Sequence, residues 1–429
     1  MFSALRFVFV FLLLLTASRS LADNLKITPP EEVGYSSEKL MVLKDMLDPY
    51  IEGGKLPNYL LSIFHEDKKI FEIMNGTTDF EFKKPIRNDD IFWIASMAKP
   101  ITSLAALQLV ERGELDLNDP IDKYLPYFSN PLVAVDGNMA SELKPTNNKI
   151  LVKNLLTHTS GLTYGSTIAK ENDVSNLYDD INPMSPLRTL SDTVSLISEL
   201  PLIAEPNTEF NYSVSILVLG LIIEDITGMR LGDYLEANIF KPLGMKDTAF
   251  DIEASKHDRV AALFQAKRVT VQVPGENLSY EPSPLTKWCK NKKMADHGGE
   301  GLCSTAADYH KFIQLLMNKG ELNGTRILSE EYTNLMLTNQ MPAEVGEAPL
   351  TNFFGPVAKN LQFSYGVGIS LDKETQLPRY YWWAGATNTF FWFDTKTRLN
   401  GVFMTHHFPV LYNIIAVSYT HLTLPTMFE

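Results

Sequence analysis

Strand-like segments lie near both ends of this 429-residue chain, and helix-like segments fill the region between them. Near the N-terminus, the apolar runs 59–65 and 69–74 flank a charged turn and predict a β-hairpin. The other strand-like runs lie towards the C-terminus, at 365–371, 380–384, 389–394 and 401–405. The simplest arrangement joins both ends into one sheet and inserts a mainly helical part between them.

The helical segments are recognised by apolar residues that recur every three to four positions. They are predicted at 36–50, Val152–Leu156, 190–200, Ser215–Thr227 and 306–319. We therefore expect an α/β fold of the α+β type, with a sheet part at about 23–95 and 298–410 and a helical part at about 96–297. A small-molecule site is expected in the cleft between two such layers.

Composition is that of an ordinary globular protein, with 45% hydrophobic and 21% charged residues. At this length, one large domain or two closely joined domains are expected. The formal net charge of −13 comes from acidic and basic residues that are dispersed along the chain. This balance argues against nucleic acid as a partner.

The N-terminus is typical of a cleavable signal peptide at residues 1–22. Arg6 provides a positive flank, 7–15 an apolar core, and 20–22 (Ser-Leu-Ala) a small-x-small cleavage site. An uncleaved anchor is the alternative, but the apolar core is too short to span a bilayer comfortably. We therefore expect a secreted or periplasmic protein with no stable membrane insertion after cleavage.

The chain has two cysteines, Cys289 and Cys303, which an oxidising compartment would allow to pair. A disulfide over the glycine-rich stretch between them and two buried thiols are both compatible with the sequence. Neither the cysteines nor the eight histidines show the spacing of a metal site. We expect no metal and no cofactor.

One nucleophile candidate has a suitable local context. Ser96 follows the strand-like run 91–94 and opens an apolar helix predicted at about 97–112. Lys99 lies three residues further on, so it shares a helix face with Ser96. A hydroxyl beside an amine can form a nucleophile and its base, and the helix N-terminus would favour a developing oxyanion. The alternative is a plain N-cap serine.

The Ser-x-x-Lys pattern alone has little value, because it also begins at Ser36, Ser141 and Ser370. Ser36 begins an amphipathic helix, and Ser141 lies in a Pro- and Asn-rich loop. Ser370 lies at the end of a strand that runs into a charged turn. Only Ser96 has a strand before it and an uncharged helix after it.

Six segments, in this order, resemble the serine β-lactamase and penicillin-binding-protein superfamily. They are FWIASMAKPIT (92–102), GELDLNDP (113–120), LLTHTSGL (155–162), FNYSVSILVLG (210–220), GGEGLCSTAADY (298–309) and WWAGAT (382–387). The similarity runs from about 31 to 405 and is closest to the class C β-lactamase-like carboxylesterases. It implies a β-lactamase/transpeptidase-like fold and one hydrolase domain at 23–410.

The resemblance also implies chemical roles. Ser96 corresponds to the nucleophile, Lys99 to its activating amine, and Tyr212 to the tyrosine that shares the base role and protonates the leaving group. Lys99 must lose its proton to act as a base, so it has to be desolvated or placed near another cation-stabilising group. The backbone N–H groups of Ser96 and Ala386 would form the oxyanion hole, and Gly385 would let its strand approach the substrate carbonyl closely.

Two departures from the family pattern refine the expected substrate. The second motif, usually Y-x-N, is Tyr212-Ser213-Val214, so a contact to a substrate amide is missing. The third motif, usually K-T-G or H-x-G, is Trp383-Ala384-Gly385, so the partner of a substrate carboxylate is missing. Trp383 would instead offer an apolar wall, as in β-lactamase-like esterases. Its alternative is a core aromatic of an edge strand.

Other matched residues are expected to shape the site. His158 would cap a turn, and Gly298, Gly299 and Gly301 would permit a tight backbone crossing. The tail 411–429 fits the family poorly; Ser418 to Thr426 looks like translated sequencing-adapter read-through, and a native origin of residues 418–429 stays open.

The expected function is an exported serine hydrolase that cleaves small esters through an acyl-enzyme on Ser96. An amide hydrolase or peptidase is the first alternative: a D-aminopeptidase, a DD-carboxypeptidase or a weak β-lactamase. A catalytically idle relative that binds cell wall or another partner is the second. The loops 130–149 and 164–189 are expected to line the acyl pocket, and the sequence does not give the oligomeric state.

Overall fold

The computed structural model describes most of the chain. The described residues are 26–134, 138–139, 143–166, 168, 171–266, 280–346, 350, 361–372 and 374–408. The predicted signal peptide and the tail 411–429 lie outside them.

The described strands are β1 (Asn58–His65), β2 (Lys68–Gly76), β3 (Phe92–Trp93), β4 (Leu132–Val133), β5 (Lys144–Pro145), β6 (Phe264–Ala266), β7 (Tyr280–Pro282), β8 (Cys303–Ser304), β9 (Glu321–Leu322), β10 (Thr325–Arg326), β11 (Leu361–Phe363), β12 (Gly368–Leu371), β13 (Pro378–Ala384), β14 (Phe390–Asp394), β15 (Leu399–Met404) and β16 (His407–Phe408). The helices are α1 (Ser37–Glu52), α2 (Ala98–Glu111), α3 (Val152–Leu156), α4 (Asp173–Ile181), α5 (Leu190–Ser198), α6 (Ser215–Thr227), α7 (Leu231–Leu235), α8 (Lys241–Leu243), α9 (Ala306–Met317) and α10 (Glu330–Met336).

The main sheet joins both ends of the chain, as predicted. Its seven strands run in the order β11-β12-β13-β14-β15-β1-β2, and every neighbouring pair is antiparallel. The junction between the two ends is the pairing of β1 with β15, with Leu60 opposite Met404. The expected mixed helix and sheet class is therefore confirmed.

The sheet is covered on both faces. On one face, the buried stripe of α1 (Leu40, Leu43 and Leu47) packs with Tyr59 and Trp392. On the other face lies the main core, which contains most of α2 and α6. Because α2 and α6 are apolar almost all the way round, they are buried inside the molecule rather than laid on its surface.

Two local predictions need correction. The strand predicted at 365–371 begins only at Gly368, because Ser364 and Val367 close a tight turn around Gly366. Gly366 has a φ of +88°, which glycine adopts without steric cost. The segment 164–189, expected as a loop, contains α4, which Asn172 caps by accepting a hydrogen bond from the Ser175 N–H.

The two cysteines form a disulfide, so Cys289 and Cys303 are not free thiols. The bond ties the segment after β7 to β8, and it closes a loop that contains the glycines 298, 299 and 301. Within the described residues, we find no helix with the length and apolar character needed to cross a membrane.

Candidate active site

Ser96 sits at a sharp turn between a strand and a helix. The short strand β3 pairs with β8, and the Ile94 N–H then donates to the carbonyl of Leu302 at 3.0 Å. Ala95 has a φ of +44°, which is unusual for a residue with a side chain. A 3₁₀ turn, Ala95–Met97, precedes α2, so the helix starts one residue later than predicted. The turn leaves Ser96 partly exposed at the foot of a buried helix.

Lys99 is fully buried and contacts Ser96 directly. Its Nζ lies 3.1 Å from the Oγ of Ser96 and 2.7 Å from the carbonyl oxygen of Gly299. The same Nζ lies 4.8 Å from the ring centre of Tyr212 and 5.5 Å from that of Tyr164. The amine therefore has the Ser96 hydroxyl and the Gly299 carbonyl as polar partners, with two tyrosine rings close to it.

The glycine-rich loop behind Lys99 runs close to other atoms. A Cβ added at Gly298 would lie 2.9 Å from side-chain atoms of Leu231 and Thr102, and one at Gly301 would lie 2.7 Å from Phe250. The predicted close approach is present at Gly298 and Gly301 but not at Gly299, where an added Cβ would lie at an ordinary contact distance of 3.6 Å from its nearest neighbours. Thr102 fastens the loop to α2 through a hydrogen bond from its Oγ1 to the carbonyl of Gly298.

Tyr212 lies just before α6 and is almost completely buried. Its ring is 5.7 Å from that of Trp383, 5.5 Å from that of Tyr164 and 4.7 Å from that of His158, measured between ring centres. The structure thus brings Lys99 against both Ser96 and Tyr212. The catalytic roles of the three residues remain predictions.

Trp383 lies on β13, which has β12 on one side and β14 on the other. The alternative of a core aromatic on an edge strand is therefore wrong about the strand, but Trp383 does belong to the main core. Its ring is buried and packs 5.0 Å from that of Phe363 and 5.7 Å from that of Tyr212. An apolar ring thus occupies the position of the third motif beside the candidate base.

The turn that follows β13 is held against the backbone that leads to Ser96. A Cβ at Gly385 would lie 2.3 Å from the carbonyl oxygen of Ile94, so only glycine fits there. Thr387 donates from its Oγ1 to the carbonyl of Trp93 at 2.6 Å, and Thr389 to that of Ile94 at 3.1 Å. Ala386 is partly buried and packs in the same cluster as Trp93 and Ala95. The oxyanion role of its N–H stays a prediction.

Sequence reasoning missed several residues of the site. Tyr164 faces Lys99, and its only sequence signal is its place two residues after the segment LLTHTSGL. Thr387 and Thr389 follow the third motif, but hydroxyl residues at turns are common. The Gly299 carbonyl could not be found from sequence, because every residue carries the same group.

Burial controls the ionisation of two groups near Lys99. Desolvation lowers the pKa of His158 well below its ordinary value, and the positive charge of Lys99 acts in the same direction. Desolvation raises the pKa of Tyr164 well above its ordinary value, and the charges of Glu300 and Tyr212 add to this. His158 is therefore neutral and Tyr164 is protonated at neutral pH. Among the described side chains, no group of three or more His, Cys, Asp or Glu residues could hold a metal ion.

A family model, Beta-lactamase, matches residues 43–414. The chain belongs to the beta-lactamase family. The prediction of a β-lactamase-related serine hydrolase is thereby confirmed at the level of the family.

The relatives of this chain differ in the activities that their names give. Protein Rv1367c of Mycobacterium tuberculosis (strain ATCC 25618 / H37Rv) is 30% identical over 375 residues, which is 84% of this chain and 88% of the relative. Acyltransferase calJ of Penicillium decumbens is 27% identical over 343 residues, 76% and 78% of the two chains. Esterase EstB of Burkholderia gladioli is 32% identical over 212 residues, which is 48% of this chain and 50% of EstB.

Solved structures share the fold. Simvastatin synthase (LovD) from Aspergillus terreus, in its LovD6 mutant, superposes with a TM-score of 0.72 at 22% identity, covering 90% of this chain and 93% of LovD6. EstCE1, a hydrolase with promiscuous acyltransferase activity, gives 0.69 at 22% identity, covering 86% and 93%. At this identity the likeness establishes the fold alone.

Proposed function

We propose that this protein is a serine hydrolase that cleaves small ester substrates through an acyl-enzyme on Ser96. The observation that carries the proposal is the contact of 3.1 Å between a partly exposed Ser96 hydroxyl and the fully buried amine of Lys99. At this distance the amine can accept the hydroxyl proton as Ser96 attacks, which is the arrangement of a nucleophile and its base.

The proposed reaction has two halves. Ser96 Oγ attacks the ester carbonyl while its proton passes to Lys99, and the N–H groups of Ser96 and Ala386 stabilise the oxyanion. The Tyr212 hydroxyl, recharged by Lys99, protonates the departing alcohol as the C–O bond breaks. Water then attacks the acyl-enzyme by the same route, and the acid leaves as Ser96 regains its proton. An oxyanion hole such as the one proposed for the N–H groups of Ser96 and Ala386 typically contributes about two to three orders of magnitude in rate.

Two features of the site favour a neutral ester over a substrate with a carboxylate or amide handle. Trp383 is apolar and buried where the family pattern has a cation. Ser213, in the second motif, has its Oγ engaged with buried partners, 3.2 Å from the Nδ1 of His158 and 2.7 Å from the Oγ of Ser215. The name of the relative EstB, an esterase, supports the same substrate class.

Acyl transfer to an alcohol is a second candidate function, because acyltransferase calJ matches 76% of this chain. The acyl-enzyme would be the same, and an alcohol acceptor would replace water in the second half of the reaction. Buried surroundings of Lys99 would favour such transfer, since they limit the access of water.

The test compares wild type with Ser96→Ala on short p-nitrophenyl esters, and it uses a fluorophosphonate probe to label the nucleophile. Ser36→Ala is the matched control, since Ser36 also starts a Ser-x-x-Lys pattern but caps α1 on the far side of the sheet. We expect wild type and Ser36→Ala to hydrolyse the esters and to be labelled, and Ser96→Ala to do neither. Equal ester hydrolysis by Ser96→Ala would overturn the proposal.

An added primary alcohol separates the two candidate functions. A hydrolase forms the acid at an unchanged rate, whereas an acyltransferase forms the new ester in preference to the acid. Mass spectrometry of the products measures the ratio directly.

We also propose that the protein is exported after cleavage at residues 20–22. The signal-like segment 1–22 supports this, and the disulfide between Cys289 and Cys303 is compatible with an oxidising compartment. Expression with the native N-terminus, followed by N-terminal sequencing of the extracellular or periplasmic fraction, tests it. Recovery of the protein only inside the cell, with residues 1–22 retained, would contradict it.

A further inference from the structure

His158 binds the backbone on both sides of Tyr212. Its carbonyl oxygen accepts from the N–H of Asn211 at 2.8 Å, and its Nδ1 accepts from the N–H of Ser213 at 3.2 Å. One residue therefore holds the N–H of the residue before the tyrosine and the peptide group immediately after it. These two bonds reach across 53 to 55 positions of the chain, so they are tertiary contacts and not part of a local turn.

The imidazole of His158 also packs against the ring of Tyr212. The ring centres of His158 and Tyr212 are 4.7 Å apart at an angle of 48°. On its other faces, the imidazole meets Phe363 at 5.8 Å and Phe210 at 6.0 Å. His158 is fully buried, so these rings surround it with apolar contacts that limit its movement.

Buried hydroxyls hold the Nδ1 side in place. The Oγ of Ser213 lies 3.2 Å from Nδ1 and 2.7 Å from the Oγ of Ser215, which in turn lies 2.7 Å from that of Ser160. All three serines are fully buried. Because Nδ1 accepts the Ser213 N–H, the neutral ring carries its proton on Nε2. Desolvation and the charge of Lys99 both lower the pKa of His158, which agrees with this neutral state.

From these contacts we infer that His158 is a positioning residue for Tyr212: it holds the phenol at the distance from Lys99 and Ser96 that proton transfer requires. The inference rests on the proposed function, because it assigns His158 a part in the same reaction. His158 does not transfer the proton itself. A displacement of about 1 Å in a reacting group can cost on the order of 10²-fold in rate. The arrangement also gives a reason for a serine at position 213, because its N–H and its Oγ both lie 3.2 Å from the Nδ1 of His158.

The test uses two amide substitutions that differ in the position of their oxygen. In His158→Asn, the Oδ1 can take the place of Nδ1 and accept the Ser213 N–H, and asparagine tolerates the φ of +56° found here. In His158→Gln, the oxygen lies one bond further out, close to the position of Nε2, and the bond to Ser213 is lost. We expect His158→Asn to retain kcat within about tenfold and His158→Gln to lose about 10²-fold, with KM nearly unchanged in both.

Two controls separate positioning from folding. Circular dichroism and Tm report whether each variant is folded, and the fluorophosphonate probe reports whether Ser96 and Lys99 still react. A merely structural role would lower kcat in proportion to the loss of folded, labelled enzyme, and that result would overturn the inference. So would equal kcat values for wild type and His158→Gln, or no rescue by His158→Asn when all the variants are folded.

Failure of the inference is distinguishable from failure of the proposed function. If Ser96→Ala keeps wild-type ester hydrolysis, the function is wrong whatever His158 does. If Ser96→Ala is inactive and His158→Gln is as active as wild type, the function stands and only the positioning role falls.

Discussion

Lys99 donates a hydrogen bond from its Nζ to the carbonyl oxygen of Gly299 at 2.7 Å, although 200 positions separate the two residues. The contact joins the helix that begins after Ser96 to the glycine-rich loop between the two cysteines. Buried polar groups are almost always hydrogen-bonded, so the position of the Gly299 carbonyl sets the direction in which the amine points. The geometry of the candidate base thus depends on two distant segments at once.

Lys99→Met should strongly reduce turnover and leave the protein folded. Methionine keeps the unbranched chain out to the ε carbon but has no amine to accept the Ser96 proton, so we expect kcat/KM to fall by about 10²- to 10⁴-fold. The substitution removes the desolvation cost of a buried amine but takes away a hydrogen-bond donor of the Gly299 carbonyl, so we expect only a small net change in Tm. Ester kinetics and a thermal melt measure both effects. A variant that loses stability together with activity would point to a structural role for Lys99.

Tyr212→Phe should separate the phenol hydroxyl from the aromatic ring. The ring contacts to His158, Trp383 and Lys99 remain in this variant, so Tm should change little. Loss of the hydroxyl removes the proposed proton donor to the leaving group, and we expect kcat to fall by about 10²- to 10⁴-fold. Esters with good leaving groups need less protonation and should suffer less. Equal losses for p-nitrophenyl and alkyl esters would contradict this role.

Gly385→Ala should damage both the fold and the site. Its Cβ would lie 2.3 Å from the carbonyl oxygen of Ile94 and from the Oγ1 of Thr389, and the backbone atom cannot move aside without shifting Ser96. We expect a loss of about 1–3 kcal/mol in the free energy of unfolding, together with reduced activity. Gly113→Ala is the control: Gly113 has a φ of +70° but no atom near its missing Cβ. Urea denaturation should therefore show the larger loss for Gly385→Ala.

Side-chain periodicity explains how much of the fold could be predicted. Helix α6 was predicted with the bounds it has, because its apolar residues continue until Gly228 takes the left-handed conformation that ends it. The partners of Lys99 could not be predicted in this way. Tyr164 and the Gly299 carbonyl reach the amine only through tertiary packing, and no local pattern encodes that approach. The family resemblance indicated both Tyr212 and His158, but it predicted a turn cap at His158 and not the contact of its ring with that of Tyr212.

Acid should destabilise the protein through buried neutral histidines such as His310. Desolvation lowers the pKa of His310 to about 3, so the folded state stays unprotonated where the unfolded chain, with a pKa of 6.5, takes up a proton. Stability is therefore fully present above pH 6.5 and falls by about 1.4 kcal/mol per pH unit as pH drops towards 3. His310→Asn removes this contribution, while its amide can take the place of Nδ1 and still bond Asn400, the partner of Nδ1 at 2.8 Å. Between pH 7.5 and 5, wild type should lose about 2 kcal/mol more than His310→Asn in urea denaturation; parallel losses would contradict the assignment.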